Sequence, residues 1–281
     1  MTRIALLQMT TGIDPAANAR ALVDAVDTAA AGGAAMLFTP EMSGLLDRDR
    51  ARASRHVVAE ADNPVLEAVR NAAARTGIWV HLGSLAVTRD TDGRNTVARN
   101  TDARWANRGF VIDGGGQIAA RYDKIHMFDV DLATGESWRE SNAYAPGEAV
   151  VTVETPVGRL GLAICYDLRF PALFEALGRQ HCDCVAIPAA FTVPTGAAHW
   201  HVLQRARAIE ASAFVIAAAQ VGQHEDGRAT YGHSLVVDPW GDVVLDMGGE
   251  APGLGFADIA PARVREVRAQ LPSLINKRPI A

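Results

Sequence analysis

The chain lacks most of the features that mark whole classes of protein. Three cysteines in 281 residues are odd in number and too few for a disulfide framework, which points to a reducing compartment. No apolar run approaches the roughly 18 residues of a membrane span. The apolar stretch from Ile4 to Met9 is also too short for the core of a secretory signal. We therefore expect a cytoplasmic protein with no membrane partner. A surplus of one charge is missing too: the net charge is −5 with both signs interspersed, so there is no footprint for nucleic acid. No Pro/Ser/Gly-rich or charge-rich linker interrupts the chain. That predicts a single domain over 1–281, with its core over about 3–260 and a C-terminal helix and tail over 261–281. Absent as well are a Walker lysine loop, a Gly-x-Gly-x-x-Gly turn opening a helix, and a Gly-x-Ser-x-Gly frame.

What is present is an alternation of strands and helices. Hydrophobic residues make up 49% of the chain, enough for a full core. Ile4–Met9, Ala34–Thr39, Ile78–Val87, Asp183–Pro188, Phe214–Gln220 and Gly253–Ile259 read as strands. Helical patterns cover Pro15–Ala31 (closed by Gly32-Gly33), a stretch opened by Asn63-Pro64 and closed by Gly77, Ala172 to about Arg179, His199–Ala213 and Pro261–Leu271. Within His199–Ala213, the residues Val202, Leu203, Ala206, Ile209 and Ala213 suggest the buried stripe. Leu45–Ala61 reads as a solvated loop or short helix, and Thr88–Asn107 as a turn and an exposed loop. Phe110–Ile118 and Leu235–Val243 share an apolar triplet, an aspartate, a tight turn and a second strand, which is a hairpin signal. Two such hairpins suggest two sheets, and the fold class expected is α/β, two sheets between helix layers. The tail Pro272–Ala281 has too little apolar surface to bury itself, and a second subunit is a candidate for what it covers.

The segment Gly158–Pro171 is the chemical focus. It is an apolar strand that stops on Cys165, followed by a polar turn and a helix. Ligand crevices of α/β sheets lie beyond such strand ends, and a helix mouth favours thiolate over thiol. The residues alone leave two readings of Cys165 open, a nucleophile or a buried structural thiol. Cys182 and Cys184 flank a core strand with His181 and no second ligand pair, so packing rather than metal explains them. Glu41 follows a strand end, Lys124 follows the first hairpin, and Glu140 lies in a segment with no periodicity. Taken singly, each is as readily a surface residue. His126, His199, His201 and His233 form no recognisable cysteine-protease arrangement.

In order, Pro40-Glu41, Tyr122-Asp123-Lys124-Ile125-His126-Met127-Phe128-Asp129 and Cys165-Tyr166-Asp167-Leu168-Arg169-Phe170-Pro171 resemble the nitrilase superfamily of carbon–nitrogen hydrolases. His199-Trp200, Arg205–Glu210 and Tyr231-Gly232-His233-Ser234 are similar to its amidase branch of deaminated-glutathione amidases and ω-amidases. The resemblance implies an α-β-β-α sandwich and a Glu41–Lys124–Cys165 triad, with Glu140 as a supporting second glutamate. Glu41 would be the general base and acid, Cys165 the nucleophile, and Lys124 with the backbone N–H of Tyr166 the oxyanion site. Such chemistry implies neither cofactor nor metal. The partner is a small amide, with a homodimer or higher homo-oligomer expected. Arg169 is a candidate fork for a substrate carboxylate or, as readily, a salt bridge stabilising the turn, and His199 a second candidate for lining the pocket. A nitrile or an N-carbamoyl amino acid is the alternative substrate, and a catalytically silent binding or assembly protein the alternative class.

Overall fold

Side chains of the first strand alternate between two cores. Ile4 and Leu6 enter an apolar layer shared with the second sheet, whereas Ala5 packs among helix residues, as a strand covered on both faces requires. Met36 and Phe38 repeat this against Leu37. The computed structural model describes residues 1–89, 104–133 and 135–278.

In chain order the elements begin with β1 (Thr2–Gln8), α1 (Pro15–Ala31), β2 (Met36–Phe38), α2 (Arg50–Ala53) and α3 (Pro64–Thr76). Next come β3 (Trp79–Val87), β4 (Ala106–Ile112), β5 (Ile118–Asp123), β6 (Asp129–Asp131), β7 (Ser137–Arg139), β8 (Thr152–Thr155) and β9 (Gly158–Leu162). They are followed by α4 (Pro171–Arg179), β10 (Cys184–Ala186), α5 (Val193–Ala211), β11 (Phe214–Ala217), β12 (Val221–Gln223) and β13 (Ala229–Tyr231). β14 (Leu235–Val237), β15 (Val243–Asp246), β16 (Gly253–Ile259), α6 (Pro261–Gln270) and α7 (Ser273–Asn276) complete the chain.

One sheet has the order β16-β1-β2-β3-β4-β5 and the other β15-β14-β11-β10-β9-β8. Residues of α1 and α3 cover the outer face of the first, and Leu173, Phe174, Trp200 and Ala208 of α4 and α5 pack against the second. The fold is an α-β-β-α sandwich. The helices start where local chemistry dictates. Asp14 and Asn63 accept N–H bonds from the first turns of α1 and α3, each followed by proline, and Gly77 closes α3 at φ 77°. The two look-alike hairpins, one per sheet, are built on the same device. Asp113 Oδ1 accepts from Gly115 and Gln117 at 2.8 Å, and Asp238 Oδ1 from Trp240 and Asp242 at 2.9 Å.

Several expectations are corrected. On α5 only part of the expected stripe faces the core: Leu203 packs against it and Ala213, just past the helix, is buried, but Val202 is 68% exposed and Ile209 43% exposed. The buried face is Trp200, Gln204, Arg207, Ala208 and Ala211, because Arg207 is satisfied by the carbonyl of Leu168 at 2.8 Å and by Glu210. The helix also starts six residues earlier than His199 and ends before Ala213. Leu45–Ala61 is only partly solvated, since Leu45, Ala53, Val57 and Ala86 form a small core of their own. Of Thr88–Asn107, residues 90–103 lie outside the described residues, but Asn107 belongs to β4 and is buried. The segment around Glu140 contains the β6–β7 pair. The tail, as expected, rests on a neighbouring surface, here that of α4: a Cβ on Gly178 would lie 2.9 Å from Leu274, and Lys277 pairs with Glu175. Residues 279–281 lie outside the described residues.

His81, on β3, is buried beside Phe38, and burial lowers its pKa to about 3. The unfolded chain, with an imidazole near 6.5, binds the proton first as pH falls. Stability from this group is therefore full above about pH 6.5 and is lost between 6.5 and 3, at up to about 1.4 kcal/mol per unit. His81→Leu is expected to remove about 2 kcal/mol of the loss between pH 6.5 and 5, measured by urea unfolding at both pH values. An unchanged pH slope would refute this.

Candidate active site

Glu41 sits where β2 leaves the first sheet, and the neighbouring strand holds that turn. The N–H of Thr39 donates to the carbonyl of His81 at 3.0 Å, and that of Met42 to Ser84 Oγ at 2.9 Å. Between them Gly83 lets the backbones touch: a Cβ there would lie 2.1 Å from the carbonyl oxygen of Thr39 and 2.4 Å from that of Pro40. Gly83→Ala must therefore displace the Glu41 turn. We expect a loss of about 1–3 kcal/mol of stability together with a fall in turnover larger than that of Gly77→Ala, a glycine remote from the site. Equal losses of turnover in the two variants would show that Gly83 serves only the fold.

Lys124 follows β5 and is 2% exposed. Its Nζ lies 2.9 Å from Glu41 Oε1, and 2.8 and 3.0 Å from the two oxygens of Glu140. Burial opposes its charge, but Glu140 and Glu41 more than offset this and hold its pKa well above the usual lysine value. Glu41 Oε2 also accepts the N–H of Ala190 at 2.9 Å, and Glu140 Oε2 that of Phe128 at 2.7 Å. The amide of Asn107 donates to both carboxylates, at 2.9 and 3.2 Å. Asn107 is the member that sequence reasoning missed. No signal marked it: Asn107, Arg108 and Gly109 carry no apolar alternation back from Phe110, and the stretch before them is polar.

Cys165 occupies a sharp turn after β9, with φ 50°, a left-handed backbone that costs a non-glycine residue about 1–3 kcal/mol. The turn persists because it is tied on every side. The N–H of Cys165 donates to the carbonyl of Pro188 at 2.9 Å. The buried carboxylate of Asp167 accepts from Ile164 N–H at 2.9 Å, Tyr122 Oη at 2.7 Å and His126 N–H at 3.0 Å. The N–H of Tyr166 lies at the open end of the short 3-10 turn Cys165–Arg169, where helical geometry supplies no acceptor. The expectation that a helix mouth favours thiolate is corrected. Burial, and then the facing Glu41 carboxylate, push the Cys165 thiol well up, with Lys124 pulling the other way. The thiol is therefore at rest until a base acts on it. Cys182 and Cys184 are fully buried structural thiols, and Cys182 is pushed up to about 12 by burial.

Glu41, Asn107, Lys124, Glu140, Cys165 and Tyr166 line one cavity of about 330 Å³, within the range of small-molecule sites. Arg169 and His199 do not line it. They meet each other at 3.3 Å, and the Arg169 guanidinium lies over the rings of Tyr166 and Phe191 at 5.8 and 5.3 Å. The cavity's own cations include Arg48 and Arg228, whose guanidinium groups flank the Trp138 ring at 5.0 and 5.2 Å. Arg228 is neutralised by Asp226 at 2.7 Å, whereas among the described residues the guanidinium of Arg48 pairs with no carboxylate, only its backbone N–H donating to Asp226 at 2.9 Å.

The chain matches the carbon–nitrogen hydrolase family over residues 3–269. It is 38% identical to the deaminated glutathione amidase of Yersinia enterocolitica, over 98% of this chain and 92% of that one. It is equally identical to the deaminated glutathione amidase of Homo sapiens, over 98% and 82%. Among solved structures, the C. elegans NitFhit protein superposes with a TM-score of 0.86 at 35% identity, covering 99% of this chain, which spans only 65% of that longer protein. The amidase from Nesterenkonia sp. AN1, solved with acrylamide added at its active-site cysteine, superposes with a TM-score of 0.77 at 26% identity, over 96% of this chain and 98% of that one. The chain belongs to the carbon–nitrogen hydrolase family.

Proposed function

We propose that the chain is a thiol-dependent amidase that converts a small carboxylate-bearing amide, of the deaminated glutathione or ω-amide type, to acid and ammonia through a cysteine thioester. The observation that carries this is the meeting of Glu41, Lys124 and Cys165 at one cavity, from three distant stretches of chain. The curated relatives named for that amide support the substrate class.

In this reading Glu41 takes the thiol proton as Cys165 Sγ bonds to the amide carbon. Charge moves to the carbonyl oxygen, where Lys124 and the N–H of Tyr166 hold it; one such donor is worth about 3 kcal/mol of barrier. Glu41 then gives its proton to the amide nitrogen, the carbon–nitrogen bond breaks, and ammonia leaves a thioester. Water enters and loses a proton to Glu41. Its oxygen displaces the sulfur, which recovers that proton, and the acid departs. Lys124 keeps its charge throughout, as its two carboxylate neighbours demand. Glu140 orients Lys124 and needs no proton of its own. The carboxylate role expected of Arg169 passes to Arg48: it and Arg50 are cavity cations with no carboxylate partner among the described residues, and Arg50 already gives its guanidinium to the carbonyl of Asn142. Arg48→Gln is expected to raise KM for acidic amides about tenfold with little change for a neutral amide; equal shifts would remove Arg48 from substrate binding.

The same proposal takes the protein as cytoplasmic and self-associated. The exposed Val202 on α5 is the kind of surface a second copy would cover. Ammonia release from deaminated glutathione, α-ketoglutaramate, a simple nitrile and an N-carbamoyl amino acid tests the reading. We expect the two acidic amides to exceed the others by at least tenfold in kcat/KM. A preference for the nitrile or the carbamoyl compound would overturn the substrate class. No turnover of any, with Cys165 no more reactive than Cys182, would make the chain a catalytically silent protein.

A further inference from the structure

Away from the catalytic cavity, three residues from separate elements bring metal-binding atoms together. His201 lies on α5, His233 between β13 and β14, and Asp246 at the end of β15. One ligand atom from each falls within 4.8 Å of the other two. His201 Nε2 is 2.9 Å from Asp246 Oδ2, and His233 Nδ1 is 2.9 Å from Asp246 Oδ1. None of the three lines the cavity.

The surroundings hold this cluster in place. His233 has φ 55° and follows Gly232 at φ 72°, a conformation that needs outside support in a non-glycine residue. Its N–H donates to the carbonyl of Gly248 at 2.8 Å, and its carbonyl accepts from Trp200 Nε1 at 2.8 Å. The ring stacks on Tyr231 with centroids 4.4 Å apart, and Gly249 makes room for it, since a Cβ there would lie 3.0 Å from His233 Nε2. Asp246 Oδ1 is fixed by the N–H of Gly248 at 2.9 Å. The three side chains are between 24% and 34% exposed, so an ion from solution can reach them.

We propose that His201, His233 and Asp246 form a binding site for one divalent transition-metal ion of the zinc class. Two imidazole nitrogens and one carboxylate suit zinc, nickel or cobalt, and not magnesium or calcium, which prefer all-oxygen shells. Ligands about 2.0–2.2 Å from zinc stand roughly 3.3 Å from one another in a tetrahedron. The two histidine nitrogens stand 2.9 and 3.2 Å from Asp246 Oδ2, contacts that open by only a few tenths of an ångström, while the imidazole nitrogens, within 4.8 Å of each other, close toward the same spacing. Each imidazole moves its ring proton to the other nitrogen and offers the vacated lone pair, while water completes the fourth position. Occupancy would fasten α5 to the turn before β14. That turn is continuous with the cavity wall: Thr192 of the wall bridges to Thr230, and Tyr231 N–H donates to the carbonyl of Phe191.

The test is zinc chloride titrated into the chelator-stripped full chain, followed by calorimetry and thermal melting. The expected result is one ion per chain and a rise in Tm of about 5 °C at a hundredfold excess over Kd, with no response to magnesium chloride. Both effects are expected to vanish in His201→Gln and in Asp246→Asn and to survive in Cys165→Ser. His201→Gln, a change on the surface of a helix, keeps the test valid if Asp246→Asn folds poorly. The proposal is overturned if zinc does not bind, if binding survives in His201→Gln, or if it disappears in Cys165→Ser, which would put the ion on the nucleophile.

Discussion

Glu41→Gln is expected to lower ammonia release by about 10³-fold or more while Cys165 remains open to alkylation. General acid–base catalysis alone is worth about 10²–10⁴-fold, and in the proposed reaction one carboxylate serves both the acylation and the hydrolysis. Its loss strands the amide nitrogen without a proton in the first half and water without a base in the second. The thiol itself behaves differently. Burial and then the Glu41 carboxylate push the Cys165 pKa upward, and Lys124, helped by the backbone N–H of Ala190, lowers it. With a neutral amide in place of the carboxylate, burial still opposes the thiolate but the charge repulsion from residue 41 is gone, and the pull of Lys124 remains. A larger thiolate fraction follows, so iodoacetamide should modify Cys165 at least as fast as in the parent protein. Turnover within tenfold of the parent would remove Glu41 from the proton transfers. Glutamine keeps one acceptor oxygen for Asn107 and Lys124 but loses the one that accepts the Ala190 N–H, a cost of about 1–3 kcal/mol, so turnover is compared well below the variant's own Tm.

The same electrostatics explains what was legible in the sequence. Glu41, Lys124 and Cys165 each stand at the end of a strand and beside a recognisable motif, so their residue types and order survive a reading in one dimension. Asn107 has no motif. Its role depends on β4 starting at Ala106, inside a run of polar residues that looked like a loop. The second failure, on α5, has the opposite cause. Counting apolar side chains chose Val202 and Ile209 as the inner face, but the inner face contains Gln204 and Arg207, and the burial of Arg207 is decided by partners elsewhere, such as the carbonyl of Leu168. Hydrophobic periodicity finds a helix and misplaces its face when the buried stripe is polar. Arg169 shows a third limit. Its neighbour Cys165 is in the cavity, yet a 3-10 turn separates them and sends the guanidinium over Phe191 toward His199. Proximity along the chain says nothing about which side of such a turn a side chain takes.

Lys124→Met should be the most damaging single change, for stability and catalysis together. Glu41 is 5% exposed, Lys124 2%, and the two glutamates approach the same ammonium and the same Asn107 amide. Removing the cation leaves two carboxylates facing each other in a buried place. Breaking a buried pair in this way typically costs about 3–5 kcal/mol, and one carboxylate must take up a proton to relieve the repulsion. Catalysis loses an oxyanion donor as well, about 10²–10³-fold in kcat. A single variant cannot separate an unfolded site from an intact site without its cation. The double variant Lys124→Met/Glu140→Gln can, because it removes one of the two opposed charges. Stability should recover by at least half of the single variant's loss, while turnover stays depressed by the full factor. That split is the signature of a lysine that both neutralises the carboxylates and stabilises charge on the substrate. Joint recovery of stability and turnover would mean that Lys124 only neutralises its neighbours, and the oxyanion would then rest on the backbone alone.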